Sequence, residues 1–326
     1  MDEKTEKLLQ TFFEKKQVGL AKIITLIENR ADDYEEVLSR LFPHSRNAYR
    51  VGITGPPGAG KSTIVDKIAL HEGIIEHEIG IVAVDPTSPF TGGAVLGDRV
   101  RMRDLATLPN VFIRSMASRG SSGGLAAATK DVLIAFDAFG KEYILIETVG
   151  VGQIELDVID ACDTAIVVLT PEAGDSVQAL KAGLLEIADI FVVNKSDRPG
   201  ADLFASELQS ILELKGDRDR ESEKPVWKVP IIPAIATRDE GIGDIVERII
   251  RHREFITKNG HFESHRKLQI KHKIKQIIMR HIREIAEKQF LGEMDIDALT
   301  ESVFGGEIDP YSAVREYFEK GLGNRD

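Results

Sequence analysis

The run Gly55-Pro56-Pro57-Gly58-Ala59-Gly60-Lys61-Ser62 has the spacing G-x-x-x-x-G-K-S, and Thr63 follows it. Glycines let a backbone wrap closely around phosphate oxygens. Successive amides and a helix N-terminus then supply partial positive charge. In such a loop Lys61 bridges the β- and γ-phosphates, and Ser62 ligates Mg²⁺. The pattern needs a strand before it and a helix after it. Both are predicted here, a strand over 49–53 and a helix over 62–70.

A second cluster reads a base. Asn194-Lys195-Ser196-Asp197 directly follows an apolar run at 190–193. The Asp197 carboxylate can accept hydrogen bonds from N1–H and the N2 amino group of guanine. Adenine has no donors there, and a site built on hydrogen bonds can reject such an analogue by ~10⁴ or more. The aliphatic stem of Lys195 can cover the base face. A last base contact is expected from backbone amides at Ala234, Ile235 and Ala236. GTP or GDP with Mg²⁺ is therefore the expected ligand.

Further carboxylates lie at strand ends. Glu147-Thr148-Val149-Gly150 stands where many GTPases carry D-x-x-G. There the acid holds the Mg²⁺ shell, and the glycine amide, here of Gly150, senses the γ-phosphate. Asp85 ends the run 79–84, and Asp98 lies in a Gly-rich stretch. Mg²⁺ takes only one or two protein carboxylates, so Asp85, Asp98 and Glu147 should not all be direct ligands. Asp175, Gln178 and Lys181 follow the run 165–169 and could report the nucleotide state. The position after Gly150 is Val151, not the glutamine that orients water in efficient GTPases, and Gln153 lies two residues on. Slow intrinsic hydrolysis is expected. Arg99, Arg101, Arg103 and Arg119 are candidates for charge stabilisation, with nothing to choose among them.

These groups need a scaffold. Continuous apolar runs at 49–53, 79–84, 111–113, 143–146, 165–169, 190–193 and 229–235 alternate with helical stretches. Continuous runs mark strands buried on both faces, and strand–helix alternation marks a mostly parallel α/β sheet flanked by helices. Residues 1–45 and 255–326 read as helical arms around a central 46–254. In the last part Leu268, Ile270, Ile274, Ile277, Ile278, Ile282 and Ile285 form an apolar stripe opposite charged residues. A second copy of the chain is the expected partner for it. Lys+Arg 42 against Asp+Glu 53 gives a net charge of -11, which argues against broad nucleic-acid binding and adhesion to anionic lipid. Cys162 is the one cysteine, the N-terminus has no apolar signal run, and no stretch reaches the ~18 apolar residues of a membrane span. A cytoplasmic protein is expected.

Together the strings GITGPPGAGKST, DPTSPFTGGAVLGDRVRM, SRGSSGGLAAAT, ETVGVGQIELDV and TPEAGDSVQALKAGLLEIADIFVVNKSD resemble the methylmalonyl-CoA mutase-associated GTPases, the MeaB/ArgK group. The resemblance covers about 45–255. It implies a P-loop NTPase fold and a homodimeric GTPase chaperone. Such a protein attaches to an adenosylcobalamin-dependent mutase, gates cofactor loading and protects the radical enzyme. It implies catalytic roles for Lys61, Asp98, Glu147, Gln178 and Lys181, metal roles for Ser62, Asp85, Asp98 and Glu147, and a relay switch at Asp175, Gln178 and Lys181. It also implies dimerisation through the C-terminal arm. Ala94, Val100, Ala127 and Glu172 depart from the family pattern. Three alternatives stand beside it: a nickel metallochaperone GTPase, an ATP-dependent kinase or transport-linked ATPase, and a GTPase serving another cobalamin mutase.

Overall fold

A computed structural model describes residues 1–45, 47–85, 104–117, 122–148, 150, 159–171, 183–216, 225–287 and 295–323. The chain forms two compact units, Met1–Glu263 and Ser264–Asp326.

The first unit is built on seven parallel strands: β1 (Tyr49–Thr54), β2 (Ile79–Asp85), β3 (Val111–Ala117), β4 (Tyr143–Thr148), β5 (Thr164–Leu169), β6 (Ile190–Asn194) and β7 (Ile231–Ala234). Their spatial order is β3-β2-β4-β1-β5-β6-β7, and every neighbouring pair is parallel. All seven apolar runs thus become strands. The central strands β4, β5 and β6 are buried at every position, as continuous runs require. β1 lies between β4 and β5, where the order reverses. That crevice, outside the carboxyl ends of the strands, is where open α/β sheets bind ligands.

Helices cover both faces. On one face lie α1 (Glu3–Phe13), α2 (Gln17–Glu28) and α3 (Tyr34–Leu41), and a later helix packs with them. α1 starts at Asp2, whose carboxylate accepts the Thr5 N–H at 2.7 Å, a side-chain N-cap. Leu9, Phe12, Leu20, Ile23, Ile24 and Ile27 from these helices share one core with Val82, Ile144 and Ile146 of the sheet. On the opposite face lies α4 (Lys61–Leu70), followed by the short α5 (Glu72–Ile75). The helix that packs with α1–α3 is α6 (Ser122–Phe139), and beyond it come α7 (Leu185–Ile187), α8 (Ala201–Gly216) and α9 (Ile242–Lys258). α9 buries Ile242, Ile245, Val246, Ile249, His252 and Ile256, a helical periodicity that turns one stripe inward. With Ile64, Val65 and Ile68 of α4 it covers Val51, Ile53, Ile166 and Val168. Successive β5 residues alternate: Ile166 and Val168 face α4 and α9, while Val167 and Leu169 pack with Leu208 of α8.

The second unit holds the rest of α10 (His261–Ala286), with α11 (Ile296–Phe304) and α12 (Pro310–Gly323). Leu268, Ile270, Ile274, Ile278, Ile282 and Ile285 of the predicted stripe are exposed.

Candidate functional site

β1 leads directly into the phosphate loop, and α4 starts at Lys61. Two glycines make that connection possible. Gly55 has φ 147 and Gly60 has φ 92, both in the left-handed region. A Cβ at Gly55 would lie 2.1 Å from Val168 O, and one at Gly60 would lie 2.2 Å from Asn194 Nδ2. Any side chain there displaces backbone or an Asn whose amide is already committed.

Lys61 is buried and its ammonium folds back over the loop, donating to Gly55 O at 2.8 Å and Pro56 O at 3.0 Å. Two loop carbonyls thereby hold its charge against the phosphate loop. Ser62 Oγ donates to Glu147 Oε1 at 2.5 Å, so the loop serine and the buried acid at the end of β4 converge. Gly150 is tied in as well. Its carbonyl accepts from Thr54 Oγ1 at 2.9 Å, and Thr148 Oγ1 donates to Thr54 Oγ1 at 2.9 Å. Thr54 and Thr148, both fully buried, lock the ends of β1 and β4 together. Sequence spacing gave these two threonines no role; their signal is only that Thr54 precedes the glycine-rich run and Thr148 fills a variable position of E-x-x-G.

The two motifs meet through Asn194. Its side-chain amide donates to Ala59 O at 2.7 Å, and its Oδ1 accepts the Ala236 N–H at 3.1 Å. One buried side chain therefore joins the phosphate loop to the turn after β7. Lys195, at φ 59, donates to Gly58 O at 2.9 Å, which lays its stem alongside the loop. Ser196 bonds Ala234 O through both its N–H and its hydroxyl. Asp197 stands at the surface beside Arg238, 3.5 Å away. Of the three amides named for the base, that of Ile235 donates to Glu240 O and that of Ala236 to Asn194.

Pro56, Pro57, Gly58 and Thr63 occupy the loop and the first turn of α4. Asp85 is the last residue of β2, and its backbone pairs with Ala117. Asp98, Gln178 and Lys181 lie outside the described residues, as do Asp175, Val151, Gln153, Arg99, Arg101, Arg103 and Arg119. Among the described residues no group of three or more His, Cys, Asp or Glu could hold a metal ion. Mg²⁺ needs no such group. It favours hard oxygens, keeps waters and takes one or two carboxylates. The Ser62 hydroxyl and Glu147 carboxylate, in contact at a helix N-terminus, are a donor set of that kind.

At the opposite end of the sheet lies a buried polar chain with no part in this site. His252 Nδ1 bonds Thr164 Oγ1 at 2.8 Å, and Thr164 Oγ1 also meets the Tyr49 hydroxyl. His252 Nε2 lies 3.4 Å from Asp189, and burial pushes that carboxyl up to about 7, with nearby Asp163 adding to the rise.

Comparison with known proteins agrees with this arrangement. The family described as methylmalonyl-CoA mutase-associated GTPase MeaB matches residues 20–290. A protein of Pyrococcus abyssi named as a GTPase is 45% identical over 93% of this chain and 92% of its own length. A mitochondrial methylmalonic aciduria type A homolog of Caenorhabditis elegans is 32% identical over 83% of this chain and 71% of that protein. A crystal structure of a LAO/AO transport system kinase shares the fold, with a TM-score of 0.69 and 24% identity over 98% of both chains. A parallel sheet with a phosphate loop at its switch point, an N-K-x-D turn bonded to that loop and a match across most of the chain lead to one assignment: the chain belongs to the MeaB family of methylmalonyl-CoA mutase-associated P-loop GTPases.

Proposed function

We propose that the protein is a slow GTPase that acts as a chaperone for an adenosylcobalamin-dependent mutase, methylmalonyl-CoA mutase or a close relative. In this role it gates cofactor loading and protects the mutase from inactivation. The observation that carries the nucleotide half is the Asn194 bridge, bonded at once to Ala59 of the phosphate loop and to Ala236 beyond β7. A base and its phosphates held by those two segments belong to one ligand, and Asp197 makes that base guanine. The mutase half is supported by the family's description and by the name of the nematode relative.

In this reading the loop amides and the N-terminus of α4 bind the phosphates. Lys61, whose ammonium already rests on the loop carbonyls, turns its charge toward the β- and γ-phosphates. Ser62 and Glu147 would hold Mg²⁺, with Asp85 and Asp98 as the further candidate acids named from the sequence. When bound, the ion neutralises charge on the β- and γ-phosphate oxygens. Hydrolysis forms a bond from water oxygen to the γ-phosphorus and breaks the β–γ bridge. Gly150, fixed to β1 through Thr54, presents its segment to the γ-phosphate. Gln178 and Lys181 relay the presence of the mutase. Residues 46–254 carry the nucleotide chemistry, the helices of 1–45 extend it, and 255–326 provide the contact of a homodimer. No described helix is long and apolar enough to cross a membrane, and the single cysteine, Cys162, is buried; a cytoplasmic setting suits both.

The test is GTP and ATP turnover by the purified protein, alone and with apo methylmalonyl-CoA mutase. Slow GTP turnover that rises several-fold with the mutase is the expected result. Turnover indifferent to the mutase would keep the GTPase but remove methylmalonyl-CoA mutase as its partner, and a preference for ATP would remove the guanine assignment.

A further inference from the structure

Arg238 ends the short 3-10 turn Ala236–Arg238 that follows β7, and its guanidinium lies 3.5 Å from the Asp197 carboxylate. The turn that presents it is anchored from several sides. The Ala236 N–H donates to Asn194 Oδ1 at 3.1 Å, and the Arg238 N–H donates to Ile235 O at 2.8 Å. Asp239 takes the left-handed backbone at φ 60 and accepts from Lys67 Nζ of α4 at 2.8 Å. Arg238 is thus held by a turn fastened both to Asn194 and to the helix that follows the phosphate loop. The Asp197 backbone sits in a turn of its own, closed by the Arg198 N–H on Lys195 O and tied to Ala234 O by Ser196, but its carboxylate reaches out to the surface. Its side chain is 38% exposed, and Arg238 is the cation beside it among the described residues.

An ionised carboxylate offers about four lone-pair sites. Guanine N1–H and N2 amino donors occupy two of them, which leaves room for a guanidinium at the rim. An exposed carboxylate with no neighbour has to be ordered when the base arrives, and that ordering is subtracted from affinity. We propose that Arg238 is a positioning residue for guanine selection. It holds the Asp197 carboxylate in the orientation that receives both guanine donors, and the turn's link to α4 sets that orientation relative to the phosphates. The inference rests on Asp197 reading guanine.

The pair is solvent-exposed, so its effect is modest, about two- to fivefold. The experiment measures GDP, IDP and ADP affinities by fluorescence competition for the full chain, Arg238→Ala, Arg238→Lys, Asp197→Asn and the Arg238→Ala/Asp197→Asn double variant. IDP lacks the N2 amino group and uses one donor on Asp197 rather than two. Arg238→Ala is expected to weaken GDP about threefold and IDP less, so the GDP/IDP preference falls, while ADP is unchanged. Arg238→Lys restores part of the preference, and Arg238→Ala adds nothing once Asp197 is Asn. An unchanged GDP/IDP ratio in Arg238→Ala, or an equal loss for all three nucleotides, overturns the role of Arg238 alone. An unchanged guanine preference in Asp197→Asn overturns the guanine reading itself, and the role of Arg238 with it.

Discussion

In the unit Met1–Glu263, Ile23, Ile24, Ile64, Ile68, Ile245 and Ile249 are 0% exposed. In the unit Ser264–Asp326, Ile274, Ile278, Ile282 and Ile285 are 51–53% exposed and Phe304 is 90% exposed. The residue types are alike, and so is the helical spacing. The difference is what lies opposite. Isoleucines of α2, α4 and α9 meet a sheet whose strands are themselves apolar, whereas those of α10 meet nothing comparable among the described residues of their own unit, where Ala313 is the buried apolar side chain. An amphipathic helix shows that a face needs covering, but not what covers it. Exposed apolar area on this scale marks an interaction surface. A second copy of the chain, as proposed, would cover it.

Single changes can test this contrast. The largest effect is expected from Phe136→Ala. Phe136 is fully buried on α6, against the backbone of Gly80, where a Cβ would come within 2.3 Å of its ring. The loss should be about 3–5 kcal/mol by denaturant unfolding. Ile278→Ala in the second unit should cost no more than about 0.5 kcal/mol in the same assay at concentrations where the chain is monomeric. Equal costs would break the comparison. Lys61→Ala comes next. It removes the cation held over the phosphate loop and should lower GTP turnover about 10²- to 10³-fold, with the self-association measured by sedimentation unchanged. The converse is Ile274→Glu with Ile278→Glu. Two unpaired charges in an apolar contact should weaken self-association about a hundredfold or more and leave nucleotide affinity alone. If sedimentation is unaltered, the contact lies elsewhere.

The smallest effect concerns pH. Asp189 has a folded-state carboxyl raised to about 7 by burial, with Asp163 adding to it and the Ala165 N–H opposing it. The folded state therefore binds more protons than the unfolded state between the ordinary carboxylate range and pH 7. Its contribution is fully present at low pH and is lost as pH rises through the folded value. Between pH 5.5 and 8 the folding constant of the unmodified chain should fall, relative to Asp189→Asn, by up to about thirtyfold. Trp227, the sole tryptophan, donates from its indole to Asp189 O at 2.8 Å and gives a local fluorescence signal for this experiment. Parallel pH curves for the two proteins would show that Asp189 titrates normally.

Much of this protein is legible from residue type and spacing. Seven apolar runs became seven parallel strands, and in the central β4, β5 and β6 the run is unbroken because a strand covered on both faces has no polar side to alternate. The phosphate loop was legible because its requirements are local. Glycines at Gly55 and Gly60 permit left-handed backbone, and Lys61 and Ser62 begin the helix that the loop feeds. The N-K-x-D run was legible as a turn at a strand end for the same reason, and the structure bonds it to the phosphate loop. What spacing could not supply were relations between distant segments. Asn194 read as a base contact, yet its side chain spans 135 residues of sequence to bond Ala59. Thr54 and Thr148 are ordinary threonines until β1 and β4 become neighbours, and Arg238 is one surface arginine among many until its turn is pinned beside Asp197. Gly80 looks like a weak point in a strand, but it is the gap that admits Phe136. Local chemistry is written in the order of residues, because backbone freedom and hydrogen-bonding groups belong to each residue separately. Partnership is decided by tertiary structure, because burial and contact depend on which segments the sheet brings together.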